Sequence, residues 1–229
     1  MKRILFIALV LSSTWGYAQE TVKRSSDING LIFEKFNVLK TDKKIKQGEY
    51  TATIQGNVIA QGNYTNGKRS GDWTFYSPRG KKPIQIFNYD QNKFTLLDSV
   101  DMRGPSYIVE TTNPSDVISP PVKIGGSGGI FALTTSRIEL RGLTRGELPG
   151  VIKLTLKHTL IINQTGQIVD HLVEATGDNH MAKTLHLNDV TFDPEVARFI
   201  PATVNGQPVM SKVVIITKSI STGVITKTY

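Results

Sequence analysis

The sequence predicts an α+β protein in two parts: a run of β-hairpin repeats, followed by a small antiparallel sheet that carries one helix. Three observations lead there. Residues 45–94 repeat themselves at an offset of 23 to 25 residues, residues 151–175 alternate apolar and polar side chains, and Asp193-Pro194-Glu195 has the form of a helix start. The expected parts are a signal segment at 1–18, repeats at 45–97, a linker at 98–129 and a C-terminal domain at 130–229.

Lys2 and Arg3 precede an apolar run from Ile4 to Leu11, and small and polar residues follow at Ser12, Ser13, Gly16 and Ala18. That order of charged, apolar and small residues is a secretory signal. The run is far shorter than the roughly 20 residues of a bilayer-spanning helix. Cleavage after Ala18 and a periplasmic destination are expected, with an uncleaved anchor as the alternative. Without Lys2 and Arg3 the formal charge falls from +8 to +6. Much of the excess lies in Lys40–Lys46 and Lys68–Lys82, where turn residues make solvated loops the default reading. Contact with an anionic envelope surface or polymer, or peripheral contact with the membrane, is the functional alternative. Export and the absence of a recognised motif argue against nucleic acid as a partner. The chain has no cysteine, which excludes disulfides, thiolate metal sites and a cysteine nucleophile.

In the repeats, Gln47-Gly48-Glu49-Tyr50 aligns with Ser70-Gly71-Asp72-Trp73, and Gly62-Asn63-Tyr64 with Phe87-Asn88-Tyr89. Each unit reads as a glycine, an aromatic-centred strand, a turn and a returning strand. Trp73 and Phe75 share a parity, and Asn66-Gly67 is a strong hairpin dipeptide. The run from Gly62 through Asn66-Gly67-Lys68 to Gly71-Asp72-Trp73-Thr74-Phe75-Tyr76 resembles the MORN-type repeat. That resemblance implies meandering hairpins that serve as a binding or scaffold surface, with no reaction. Trp73 and Tyr76 are the aromatic candidates for partner binding. For Trp73, as for Phe75, Tyr64 and Tyr89, packing between hairpins is the competing reading.

Prolines 105, 114, 120 and 121 and the run Gly125–Gly129 break up the next segment, which reads as a linker. The glycine run lacks the Lys-Ser/Thr of a phosphate loop, since Ile130-Phe131 follows it. Beyond it, Leu154, Leu156, Leu160 and Ile162 fall on one side of a strand, and Lys153, Thr155, Lys157 and Thr159 on the other. Asn163–Gln167 is a turn, Ile168–Ala175 a returning strand and Val209–Thr217 a third strand. The helix is expected within residues 179–199, with Asp193 as its cap and Pro194 in its first turn. Three pieces, Val151–Leu154 leading into Leu160–Asp170, the region before Phe199, and Phe199–Val209 with its Pro201-Ala202 and Asn205-Gly206-Gln207-Pro208-Val209, resemble the C-terminal domain of the TonB energy-transducer family. The resemblance implies pairing of an extended partner segment with a strand edge. Val213, Val214, Ile215 and Ile216 of the closing strand are the candidates for that contact, and core packing is the other reading of their side chains.

Reaction chemistry finds little support. His158, His171, His180 and His186 have no compact ligand spacing, and a buried, hydrogen-bonded His158 is the simpler reading. Asp170 and Glu174 read as exposed strand positions, and Gly126-Ser127-Gly128 is not a nucleophile elbow. The expectation is a non-enzymatic envelope protein without cofactor or metal that binds or scaffolds envelope or outer-membrane proteins. The alternative is an accessory component of TonB-type outer-membrane transport.

Overall fold

The computed structural model describes residues 19–28, 30, 32–77, 81–98, 105–111, 113–126, 129, 153–177, 182–187, 197–221 and 225–227. Its first seven strands follow one another in space as in sequence: β1 (Thr21–Ile28), β2 (Ile32–Leu39), β3 (Lys46–Ile54), β4 (Asn57–Thr65), β5 (Lys68–Tyr76), β6 (Pro83–Asn88) and β7 (Lys93–Leu97). All neighbours are antiparallel, so the sheet is a continuous meander. It begins at Thr21, and two strands therefore precede the segment in which the repeat is legible. Two of its hairpins close through two residues, Gln55-Gly56 and Asn66-Gly67, both with positive φ. That is the turn whose twist matches the strands it joins.

The buried face of this sheet is aromatic. Trp73 and Phe87 pair across β5 and β6, and both are fully buried. The rings of Tyr50, Tyr64, Phe75 and Tyr89 lie 5.0 to 6.2 Å from the indole, centroid to centroid. The indole lies against the backbone of Gly62, where a Cβ would sit 2.4 Å from its Cδ2. Its N–H donates to the Asn63 carbonyl at 3.0 Å, so the polar edge of the ring is satisfied inside the core.

The remaining strands are β8 (Ser106–Val109), β9 (Ile118–Ser119), β10 (Val122–Lys123), β11 (Lys153–Ile162), β12 (Ile168–Gly177), β13 (Ala182–His186), β14 (Phe199–Ile200), β15 (Ala202–Val204), β16 (Gln207–Val209), β17 (Ser211–Ser221) and β18 (Ile225–Lys227). The main sheet runs β13-β12-β11-β17-β18, with β8 also on β17. β11 and β12 form a hairpin over 163–167, and β17 lies along the other side of β11. In that turn Gly166 has φ +80°, and its carbonyl accepts the Phe199 N–H at 2.8 Å. A Cβ there would meet the Phe199 carbonyl oxygen at 2.0 Å. The turn thereby holds Phe199 over Leu160, Ile162, Ala197 and Val213.

The expected α+β class is not what forms. Among the described residues every element is a strand. Within the segment expected to hold the helix, 182–187 pairs with β12 as an edge strand. Leu185 and Leu187 share a parity and pack against Leu156, Val173 and Ala175, which is the period of a strand. The proposed start at Asp193-Pro194 lies outside the described residues.

The segment expected to be a linker supplies β8, β9 and β10, which pair with β17, β15 and β14. It also joins the two sheets. Ile124 is buried in the same core cluster as Trp73 and Phe87, with Ile200 packed against that cluster. Gln85 of β6 is buried and bonds on both sides of Ile124, donating to the Lys123 carbonyl at 3.1 Å and accepting from the Gly125 N–H at 2.9 Å.

Replacing Gly62 by alanine forces the indole off β4, and its backbone conformation gives no other objection to a side chain. We expect Gly62→Ala to destabilise the protein by about 1–3 kcal/mol, the range for an overpacked core. In a double-mutant cycle with Trp73→Phe, the smaller ring should recover part of that loss in chemical denaturation.

Candidate functional site

The expected contact strand, β17, has one edge fully occupied by β11, from Lys153 opposite Ile220 to Ile162 opposite Ser211. Its other edge carries β8 along Ser211–Val214 and β18 along Ser219–Ser221. Val213 and Val214 therefore already have ladder partners on both sides. Ile215 and Ile216 begin a stretch, Ile215–Lys218, that has no ladder partner on this edge among the described residues.

Strand alternation splits the four side chains between two faces. Val213 is fully buried and Ile215 packs against the Leu160–Phe199 cluster. Val214 and Ile216 take the opposite face. Val214 is half-buried in a row with Thr159 and Leu172, and Ile216 is 62% exposed in a row with Lys157 and Glu174. Lys157 and Glu174 are ion-paired at 2.7 Å. Ile108 of β8, 47% exposed, lies opposite Lys212 of β17, which pairs with Glu110 at 3.2 Å. This face thus mixes aliphatic side chains with ion pairs of both signs.

The aromatic candidates separate in the same way. Trp73 is fully buried and serves the core, while Tyr76, opposite Pro83, is half-buried on the other face of β5.

Of the histidines, the structure brings two together. His158 and His171 are buried on β11 and β12 with Nδ1 of the first 3.1 Å from Nε2 of the second. A hydrogen bond there needs one proton between them, so the two rings must take complementary tautomers. Thr217 of β17 approaches His158 Nε2 at 3.5 Å. Burial first, and His171 second, depress the His158 pKa to about 4. No group of three or more His, Asp or Glu side chains that could hold a metal ion lies together among the described residues. His186 is exposed on β13, His180 lies outside the described residues, and Glu174 is engaged by Lys157.

Two basic side chains packed against the core, Lys123 buried and Arg69 half-buried, escaped the sequence reading. Lys123 is 4% exposed; its ammonium donates to the carbonyls of Ile124 at 2.5 Å and Arg198 at 3.3 Å and sits 5.5 Å from the Phe199 ring. Burial, and then the charge of Arg69, hold its pKa well below the usual lysine range. Arg69 lies 4.1 Å over the Trp73 indole and donates to the Tyr89 hydroxyl at 2.7 Å. Neither position carries a period or motif that marks it as packed inward. Only the register of Arg69 opposite Tyr64, on the aromatic face, hints at its role.

No protein-family model, curated protein or solved structure matches this chain.

His158 makes folding stability depend on pH. The unfolded chain takes up the imidazole proton below about 6.5, whereas the folded chain resists until about 4. The stability it contributes is therefore complete above pH 6.5 and is lost as pH falls toward 4. Urea unfolding across that range should show a loss of up to about 3 kcal/mol that a His158→Asn variant lacks.

Proposed function

We propose that this chain is an exported, non-enzymatic protein of the cell envelope that binds or scaffolds other proteins through its C-terminal sheet. The partner lies along β17, pairing with its backbone between β8 and β18 and covering the aliphatic side chains on the outward face. The observation that carries this reading is Ile216: an aliphatic side chain 62% exposed, on the stretch of β17 that neither β8 nor β18 occupies. Main-chain pairing supplies affinity, and the outward side chains choose the partner. Export rests on the charged, apolar and small-residue order of residues 1–18.

The neighbouring ion pairs suit this role. Lys157–Glu174 and Lys212–Glu110 flank the aliphatic positions and stay solvated, which keeps an uncovered face soluble and disfavours mismatched partners. Tyr76 lies on the other sheet and takes no part in this contact.

A photo-crosslinking residue at position 216 tests the proposal in envelope preparations of the producing cell. We expect a saturable adduct with a defined envelope protein, and a purified partner should bind the Ile216→Asp variant about tenfold or more weakly, a loss of about 1.4 kcal/mol or greater. Because Ile216 contributes little to the core, the melting temperature should stay within a few degrees of the parent value. An outer-membrane receptor as the adduct would assign the transport role. Loss of binding equal to that of a Val169→Asp control on β12 would refute the use of β17.

A further inference from the structure

The meander places alternate turns at one end of the N-terminal sheet. The β2–β3, β4–β5 and β6–β7 connections lie together there, and the β3–β4 and β5–β6 connections lie at the other end. Each returning strand at the first end opens with lysine: Lys46 begins β3, Lys68 begins β5 and Lys93 begins β7. Two strand spacings separate successive members, about 10 Å, so the row spans about 20 Å. Lys43 and Lys44 extend it from the β2–β3 turn, and Arg198 joins it by donating to Asn92 at 2.8 Å. The basic runs that look like one diffuse excess in the sequence are thereby sorted. Lys81 and Lys82 go to the opposite end, and Lys43, Lys44, Lys46 and Lys68 gather here.

Three features make this row more than solvated loops. First, the turns are fixed to one another. Gly67 N–H donates to the Lys46 carbonyl at 2.9 Å, Asn66 N–H to Gln47 Oε1 at 2.7 Å, Gly71 N–H to Asp90 Oδ2 at 3.1 Å and Tyr89 N–H to the Gly71 carbonyl at 2.9 Å. The charges are held in register before any partner arrives, which lowers the ordering cost of binding. Second, the nearby carboxylates are each held by a partner other than the exposed lysine side chains of the row, though Asp42 and Asp90 keep their charge beside it. Glu20 pairs with Lys40 at 2.7 Å, Asp42 accepts the Lys44 backbone N–H, and Asp90 accepts that of Gly71. Among the described residues Lys43, Lys44, Lys68 and Lys93 are exposed and in no ion pair. Third, Lys46 lies 4.6 to 5.2 Å over the rings of Phe36, Tyr50 and Tyr64, so one end of the row is anchored on the aromatic core.

We infer that this row binds a linear acidic polysaccharide, one that carries its carboxylate or phosphate groups at regular intervals along the chain. A line one sheet thick matches a polymer laid across the turns, and in a polyuronate, with a carboxylate on every sugar, every second acidic group recurs at about the spacing of alternate strands. A membrane surface fits less well. Residues 40–44 and 90–93 are polar, and the one aliphatic residue of these turns, Ile45, is half-buried with its Cγ2 turned toward Gly67, leaving nothing apolar to enter a bilayer. The inference is independent of the contact proposed for β17, which lies on the other sheet.

Fluorescent alginate oligosaccharide, titrated against the full mature chain and followed by anisotropy, tests it. The parent should bind alginate and not neutral dextran, with affinity falling about fiftyfold from 50 to 200 mM salt if three or four charges are engaged. The Lys44→Glu, Lys68→Glu, Lys93→Glu variant should lose about tenfold or more, its Lys→Gln counterpart less, and Lys81→Glu with Lys82→Glu at the far end almost nothing. Thermal melts confirm that each variant is folded. No alginate binding by the parent, equal losses at both ends of the sheet, or binding to phosphatidylglycerol vesicles without binding to alginate would each overturn the inference.

Discussion

Trp73 lies on the backbone of β4 because residue 62 has no Cβ, and that contact organises the N-terminal sheet. An indole seated on the strand at Gly62 brings its Nε1 to the Asn63 carbonyl and leaves its other face to Arg69, 4.1 Å away. Tyr50, Tyr64, Phe75 and Tyr89 close around it. Removing such a ring typically costs about 3–5 kcal/mol, a large part of what holds a domain of ordinary size together. A single hairpin could not sustain it. The rings come from three successive strands, β3 to β5, and from Tyr89 just past β6, so the repeat is stable only as an array.

The same cluster determines how the second sheet attaches. Ile124 is buried in the same core cluster as Phe75, Ile84 and Phe87 of that face. Gln85 makes the insertion specific, because both hydrogen-bonding ends of its buried amide are used by the backbone flanking Ile124. Beside it Lys123 replaces its hydration with the carbonyls of Ile124 and Arg198, a costly burial that is tolerable because the charged form is weakened there. One short stretch, 122–125, thus belongs to the core of the first sheet and, through β10, to a two-stranded pairing with β14, whose Phe199 packs in the core of the second sheet.

Much of the architecture was legible in the residues themselves. The Asn66-Gly67 and Asn205-Gly206 dipeptides mark tight hairpins because asparagine and glycine tolerate positive φ, and both form them. The alternation from Leu156 to Ile162 places its leucines inward because the strand period is two. Within the segment expected to hold the helix, the described stretch 182–187 is a strand for the same physical reason. Lys183, Leu185 and Leu187 carry a strand period over too few residues to outweigh a helix-start signature downstream, and only the neighbouring β12 shows which one governs the segment. Of the candidate contact residues, alternation alone predicts that Val213 and Ile215 part company with Val214 and Ile216. That β8 covers the first two positions along the edge follows from a strand about a hundred residues earlier in the chain.

Local chemistry alone determined the hairpins, their turns, the inward parity of the aromatics and the absence of any thiol chemistry, since each depends on a residue and its immediate neighbours. Long-range packing decided the burial of Lys123, the meeting of His158 with His171, the closing of most of β17 and the gathering of lysines from three turns at one end of a sheet. Those outcomes depend on which strands become neighbours, and strand order is chosen by the burial of whole faces at once.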